Sequence, residues 1–178
     1  MTEFALFDTA IGGCAIVWGD RGIVGLQLPS ADETSTIARV RRRYRGAELG
    51  SPPPDVRKAI EAIVALLNGE RRDLTAVRLD MERVPQFERS VYEIARTIPP
   101  GDVTTYGEIA KRLGDPTLAQ AVGAALGQNP FPIVVPCHRV VAAGTKLGGF
   151  SAPGGAKTKQ RMLAIEGSPA AGTPDLFD

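Results

Sequence analysis

"TTYGEIAKRLGDPTLAQAVGAAL", residues 104–126, reads as two short helices on either side of a tight turn. Gly114-Asp115-Pro116 makes the turn, with Asp115 placed to cap the second helix and Pro116 at its first position. Such a helix-turn-helix pattern reads DNA in some proteins and is plain packing in many others. The second helix carries no charge and is rich in small residues: Ala119, Ala121, Gly123, Ala124 and Ala125. A helix that reads base edges in the major groove presents long polar side chains. Small ones let the helix backbone come close to a surface, which suits a narrow or shallow groove and equally suits a tightly packed core.

Upstream, Phe87, Val91, Ile94, Ala95 and Ile98 recur at helical spacing, and Pro99-Pro100-Gly101 ends that helix. Composition changes after Met81, so a domain boundary is expected at residues 84 and 85. The first half reads as a small α/β unit. "FALFDTAIGGCAIVWGDRGIVGLQLP", residues 4–29, is a run of apolar segments cut by turn signals, and predicts a three-stranded antiparallel meander. Ser30 and Glu33 have capping-box spacing ahead of a helix over "TSTIARVRRRY". Arg39, Arg41, Arg42, Arg43 and Arg45 crowd its end; they suit phosphate, or a solvated helix terminus favoured by its dipole. "GAELGSPPP" reads as a loop. Asp55 opens a second helix with Ile60, Ile63, Val64 and Leu67 on one face, stopped at Asn68-Gly69. "LTAVRLDM", residues 74–81, predicts one more strand.

Composition sets the outer limits. The chain has 178 residues, 43% hydrophobic and 23% charged, as in ordinary globular proteins. No apolar stretch approaches the roughly 20 residues of a membrane helix, and the N-terminus has no leader pattern, so a cytoplasmic protein is expected. Two cysteines, Cys14 and Cys137, and one histidine rule out a Cys/His zinc cluster and suit a reducing compartment. Net charge is +1. Residues 1–84 balance 12 basic against 12 acidic side chains, whereas residues 86–167 hold 9 basic against 6 acidic, a weak hint of an anionic partner.

"IVVPCHRVV", residues 133–141, sets Cys137 beside the only histidine, His138. A β-branched run between Pro132 and Pro136 predicts a short strand that breaks off just before the cysteine. Neighbours on a strand point to opposite faces, so contact between Cys137 and His138 requires a bend or a bridging water. Imidazole matters here because the thiolate is the nucleophile and the free thiol has a pKa near ~8.5. A small buried hydrophobe is the alternative for the same cysteine.

Residues 85–167 closely resemble the catalytic domain of the O6-alkylguanine-DNA alkyltransferases, the methylated-DNA-protein-cysteine methyltransferases. The likeness rests on "TYGEIA" at 105–110, "NP" at 129–130, "PCHRV" at 136–140 and "EG" at 166–167, in the right order and at nearly the right separations. Residues 1–84, outside the likeness, read from their own pattern as an α/β N-terminal domain with a small antiparallel sheet and helices. A mostly α catalytic, DNA-binding domain would follow over 85–167, with the helix-turn-helix and the cysteine on a short strand. Residues 168–178 are expected to be a mobile tail. The resemblance implies that Cys137 takes an alkyl group from O6 of a guanine rotated out of the duplex, in a single turnover. His138 would then take the thiol proton through a water, Glu166 would hold the imidazole, and Asn129 would tie the recognition helix to the active-site turn.

By the same resemblance Tyr106 contacts the extruded base, Val140 meets the guanine edge, Ser151 lies near O6, and Lys159 belongs to the final helix. Gln120 stands where the family usually has an arginine that fills the base stack, beside Ala121 and Gly123 on the recognition helix. "GGFSAPGG", residues 148–155, is two residues longer than the common loop. The implied substrate is double-stranded DNA carrying O6-alkylguanine, or O4-alkylthymine, met on the nucleoid. No cofactor, metal, membrane or obligate protein partner is expected. Three other readings differ: a lesion-binding, base-flipping relative without chemistry, a cysteine hydrolase, and a bare helix-turn-helix module.

Overall fold

The computed structural model describes residues 1–144 and 147–172. Three strands open the chain, β1 (Glu3–Thr9), β2 (Gly12–Gly19) and β3 (Gly22–Gln27), as an antiparallel meander whose register runs from Glu3 opposite Trp18 to Thr9 opposite Gly12. β2 is buried on both faces. Cys14, Ile16 and Trp18 point to one side and Ala15 and Val17 to the other, as strand alternation requires. The second side is covered by α1 (Glu33–Arg43), whose Val40 packs with Phe4, Ala15, Val17 and Ala47. The first side faces the rest of the molecule.

Several sequence expectations change here. The α1 cap is Asp32, whose carboxylate accepts from the Ser35 N–H at 2.7 Å, rather than Ser30. Asp32 is the residue in extended conformation next to the first helical turn, which is what a cap needs. The segment read as a loop at 46–54 contains β4 (Glu48–Leu49), which pairs parallel with β1 and completes the sheet order β3-β2-β1-β4. α2 (Pro54–Leu67) forms as expected, but its buried face is Val56, Ala59, Ile63, Leu66 and Leu67. No strand forms over 74–81. A turn closed by Val77 N–H on Leu74 C=O leaves only Leu79 to bridge Ile23 of β3.

The second half follows the expected order. α3 (Gln86–Ala95) stops before Pro99, with Ile98 still buried beyond its end. β5 (Thr104–Thr105) leads directly into α4 (Tyr106–Arg112), capped by the Thr105 hydroxyl. Asp115 then caps a 3-10 turn at Pro116–Leu118, and α5 (Ala119–Gly127) completes the helix-turn-helix. After the cysteine come β6 (Val140–Val141), parallel to β5, and α6 (Ala156–Ile165). Residues 168–172 are not a loose tail: Pro169–Ala171 form a 3-10 turn, Ala171 is buried, and Gln160 donates to its carbonyl. The tail beyond 172 lies outside the described residues. No helix among them is long and apolar enough to cross a membrane.

Candidate active site

The β-branched run before the cysteine is a turn, not a strand. Ile133 adopts a positive φ of 76°, a strained conformation for a β-branched residue. Asn129 holds that turn shut. Its amide donates to Val135 C=O at 2.9 Å and its oxygen accepts from Phe131 N–H at 2.8 Å, while Val135 N–H reaches Phe131 C=O. Pro136, at φ −79° and ψ 68°, then makes an inverse γ-turn in which Cys137 N–H bonds Val135 C=O at 2.8 Å. Cys137 therefore opens a 3-10 turn, Cys137–Arg139, and the short strand β6 comes after it rather than before. Pairing of β6 with β5 brings the Tyr106 end of α4 against the cysteine turn.

Behind the cysteine lies a buried charge cluster. His138 is fully buried, and its Nε2 lies 2.7 Å from Oε1 of Glu166. Arg139 holds the same carboxylate through Nε at 3.0 Å and Nη2 at 2.7 Å, and spends Nη1 on Ile98 C=O at 2.6 Å. Burial alone would raise the Glu166 pKa; the bonds from His138 and Arg139 outweigh it and hold the carboxyl at about 2. An ionised carboxylate only accepts, so His138 must donate from Nε2. Burial keeps the imidazole neutral by lowering its pKa, against the pull of Glu166. The remaining lone pair is then on Nδ1, which is buried and has no protein partner.

In front of the cysteine is a cavity of about 490 Å³, lined by Tyr106, Gly123, Leu126, Gly127, Cys137, Gly149, Phe150 and Ser151. That volume falls in the range of small-molecule sites. The thiol is half-buried, and desolvation raises its pKa, opposed by Asn129 and by the charge of Lys159. At rest it is a thiol, not the thiolate expected of an activated nucleophile. Lys159 is fully buried, donates to Val140 C=O at 2.7 Å and Gly149 C=O at 3.3 Å, and lies 5.8 Å from the Tyr106 ring centroid. Burial lowers its pKa to about 8. Lys159 ties β6, just after the cysteine turn, to the Gly-rich loop. That loop closes on Tyr106 at Gly148, where a Cβ would sit 2.6 Å from the phenol oxygen. The Ser151 hydroxyl donates to Gly127 C=O at 2.7 Å, joining the loop to α5.

Of the residues singled out from sequence, Tyr106, Gly123, Cys137 and Ser151 meet on this cavity, with Asn129, His138, Glu166 and Lys159 supporting it. Val140 is buried, is not among the cavity's lining residues, and its C=O is taken by Lys159. Gln120 is exposed and Ala121 half-buried on α5, away from the lining. Arg139 was missed as a partner of Glu166. A charged residue inside the apolar run VVPCHRVV was its signal, because buried arginine must be paired.

Residues 86–168 match the family model described as 6-O-methylguanine DNA methyltransferase, DNA binding domain. The chain is 36% identical, over all of both sequences, to the methylated-DNA-protein-cysteine methyltransferase of Mycolicibacterium paratuberculosis. It is 34% identical to that of Methanothermobacter thermautotrophicus, over 85% of this chain and 78% of the relative. Among solved structures, Mycobacterium tuberculosis OGT in complex with DNA superposes with a TM-score of 0.73 at 32% identity, covering 95% of this chain and 96% of that one. An end-to-end relative at this identity, and a family model laid over the half that builds the cysteine cavity, mean that the chain belongs to the 6-O-methylguanine DNA methyltransferase family.

Proposed function

We propose that this protein repairs DNA by direct reversal, moving an alkyl group from O6 of guanine to the sulfur of Cys137 once per molecule. The observation that carries the reading is a cysteine on the wall of a base-sized cavity, with a neutral imidazole beside it whose free nitrogen is Nδ1. The thiol proton passes to Nδ1 through a water, and the His138 imidazolium so formed is stabilised by Glu166. The thiolate pair makes the S–C bond, the C–O6 pair returns to the guanine, and the ring gains the proton the thiol lost. No electron or group is left over, so the reaction calls for no cofactor. The thioether has no leaving route, which makes the protein a stoichiometric reagent.

Residues 85–167 are the catalytic, DNA-binding unit in this reading and residues 1–84 its support. α5 enters a narrow groove through its small residues, and Gln120 takes the stack-filling place with a shorter, uncharged side chain. Tyr106 and Ser151 meet the flipped base, and Asn129 and Lys159 fix the cysteine turn and the Gly-rich loop. O4-alkylthymine is the secondary substrate, and the protein works on the nucleoid in the cytoplasm. The thiol at the cavity argues against a lesion binder without chemistry. Incubation with a duplex containing O6-methylguanine should add one methyl group to the peptide holding Cys137, and none to Cys137→Ser. An unmodified peptide under excess lesion overturns the reading.

A further inference from the structure

Cys137 borders two spaces, and the second points at the N-terminal half. An adjoining cavity of about 190 Å³ is lined by Cys137 and Asn129 on one side and by Leu26, Gln27, Leu28, Arg39 and Arg43 on the other. It shares Leu126, Gly127, Cys137, Phe150 and Ser151 with the larger cavity, so the two adjoin along these residues. Arg39 and Arg43 stand one turn apart on α1 and therefore on the same side of the helix. Neither is in a salt bridge among the described residues, and no carboxylate lines this space. Arg43 also lies 5.8 Å from the Tyr44 ring centroid. Two exposed arginines with no carboxylate beside them thus line a space that Cys137 also lines.

A methyl group is about the size of a water, whose share of liquid volume is roughly 30 Å³, so methyl transfer leaves most of this space unused. We propose that Arg39 and Arg43 make this space select, among O6 substituents longer than methyl, those that end in a carboxylate. The inference rests on the alkyl transfer proposed above and names its substrate class. For a carboxymethyl group the Sγ–CH2 bond forms, the CH2–O6 bond breaks with its pair going to guanine, and the guanine takes up a proton. The carboxylate stays unchanged, held by the guanidiniums through charge-assisted bonds.

Single-turnover rates on duplexes carrying O6-methylguanine, O6-carboxymethylguanine and its neutral amide isostere, O6-carbamoylmethylguanine, test this, with adducts at Cys137 read by peptide mass. The carboxylate should transfer about tenfold faster than the amide, an advantage of the size expected for one charge-assisted bond at a solvated site. Arg39→Gln with Arg43→Gln should bring that ratio close to one, and the paired lysine substitutions should restore most of it. A ratio of one in the unsubstituted protein, or a ratio untouched by the glutamines, overturns the proposal. An equal loss on all three lesions also overturns it, by assigning the arginines to the DNA backbone. Failure to methylate Cys137 from O6-methylguanine would instead strike the underlying function.

Discussion

Glu166 accepts from His138 and Arg139 at once, and this sharing decides which imidazole nitrogen is left as a base. A carboxyl held at about 2, against an ordinary 4.5, stabilises the fold wherever it is ionised in both states, and that contribution fades as it becomes protonated. The sign is that of a depressed acid: full stability above about pH 4.5, lost as pH falls towards 2. Unfolding free energies of the protein and of Glu166→Gln should therefore differ by a constant amount near neutrality and converge between about pH 4.5 and 2. The convergence should be on the order of 3 kcal/mol. Denaturant titrations at stepped pH read it directly, and a difference that stays flat down to pH 2 would show that Glu166 is not held ionised by its neighbours. Cys137 and His138 were legible only through the motifs around them, since a thiol beside an imidazole also suits a small buried hydrophobe. Arg139 stayed hidden as a structural partner, since its three bonds reach residues 98 and 166, far away along the chain.

α5 shows at the scale of an element why small residues mattered. Tyr92 of α3 donates to Ala125 C=O at 2.7 Å and fixes the buried side of the helix, while Gly123 turns towards the Tyr106 ring. A Cβ at position 123 would lie 3.8 Å from that ring, ordinary contact, so Gly123→Ala should keep the transfer rate and gain slightly in helix stability. Leucine there extends into the cavity that Gly123 and Cys137 share, and should slow transfer from O6-methylguanine by at least about tenfold with little change in melting temperature. Transfer by Gly123→Leu at the original rate would mean that the base does not enter between α5 and Tyr106. Local signals sufficed for this region, because the Asp115 cap and Pro116 act within a few residues of themselves. They failed at 133–135, where a β-branched run suited to a strand is forced into a turn by Asn129, and at 74–81, where a tight turn consumes the segment.

Across the whole molecule the sheet and the later helices share the main hydrophobic cluster. Ile16, Trp18, Ile23 and Leu26 of the sheet belong to one hydrophobic cluster with Ile63 of α2, Val91 of α3, Ile109 of α4 and Met162 of α6. Backbone bonds cross the same seam: Leu26 N–H donates to Pro130 C=O at 2.9 Å, beside the Asn129 turn. Composition along the chain cannot show this, since burial of the sheet face that bears Ile16 and Trp18 against later helices depends on contacts between distant segments. Contiguous burial makes the halves mutually dependent, because separating them would return a shared apolar surface to water at roughly 25 cal/mol per Å². The single tryptophan, Trp18, reports the sheet and is nearly fully buried in that cluster, whereas far-UV circular dichroism reports the helices of both halves, α1 and α2 as well as α3 to α6. Urea unfolding followed by Trp18 fluorescence and by helix signal should therefore superimpose as one transition with a common midpoint. Separate midpoints, with fluorescence changing first, would mean that the N-terminal half opens on its own. The wall that bears Arg39 and Arg43 would then not be a fixed side of the cysteine cavity.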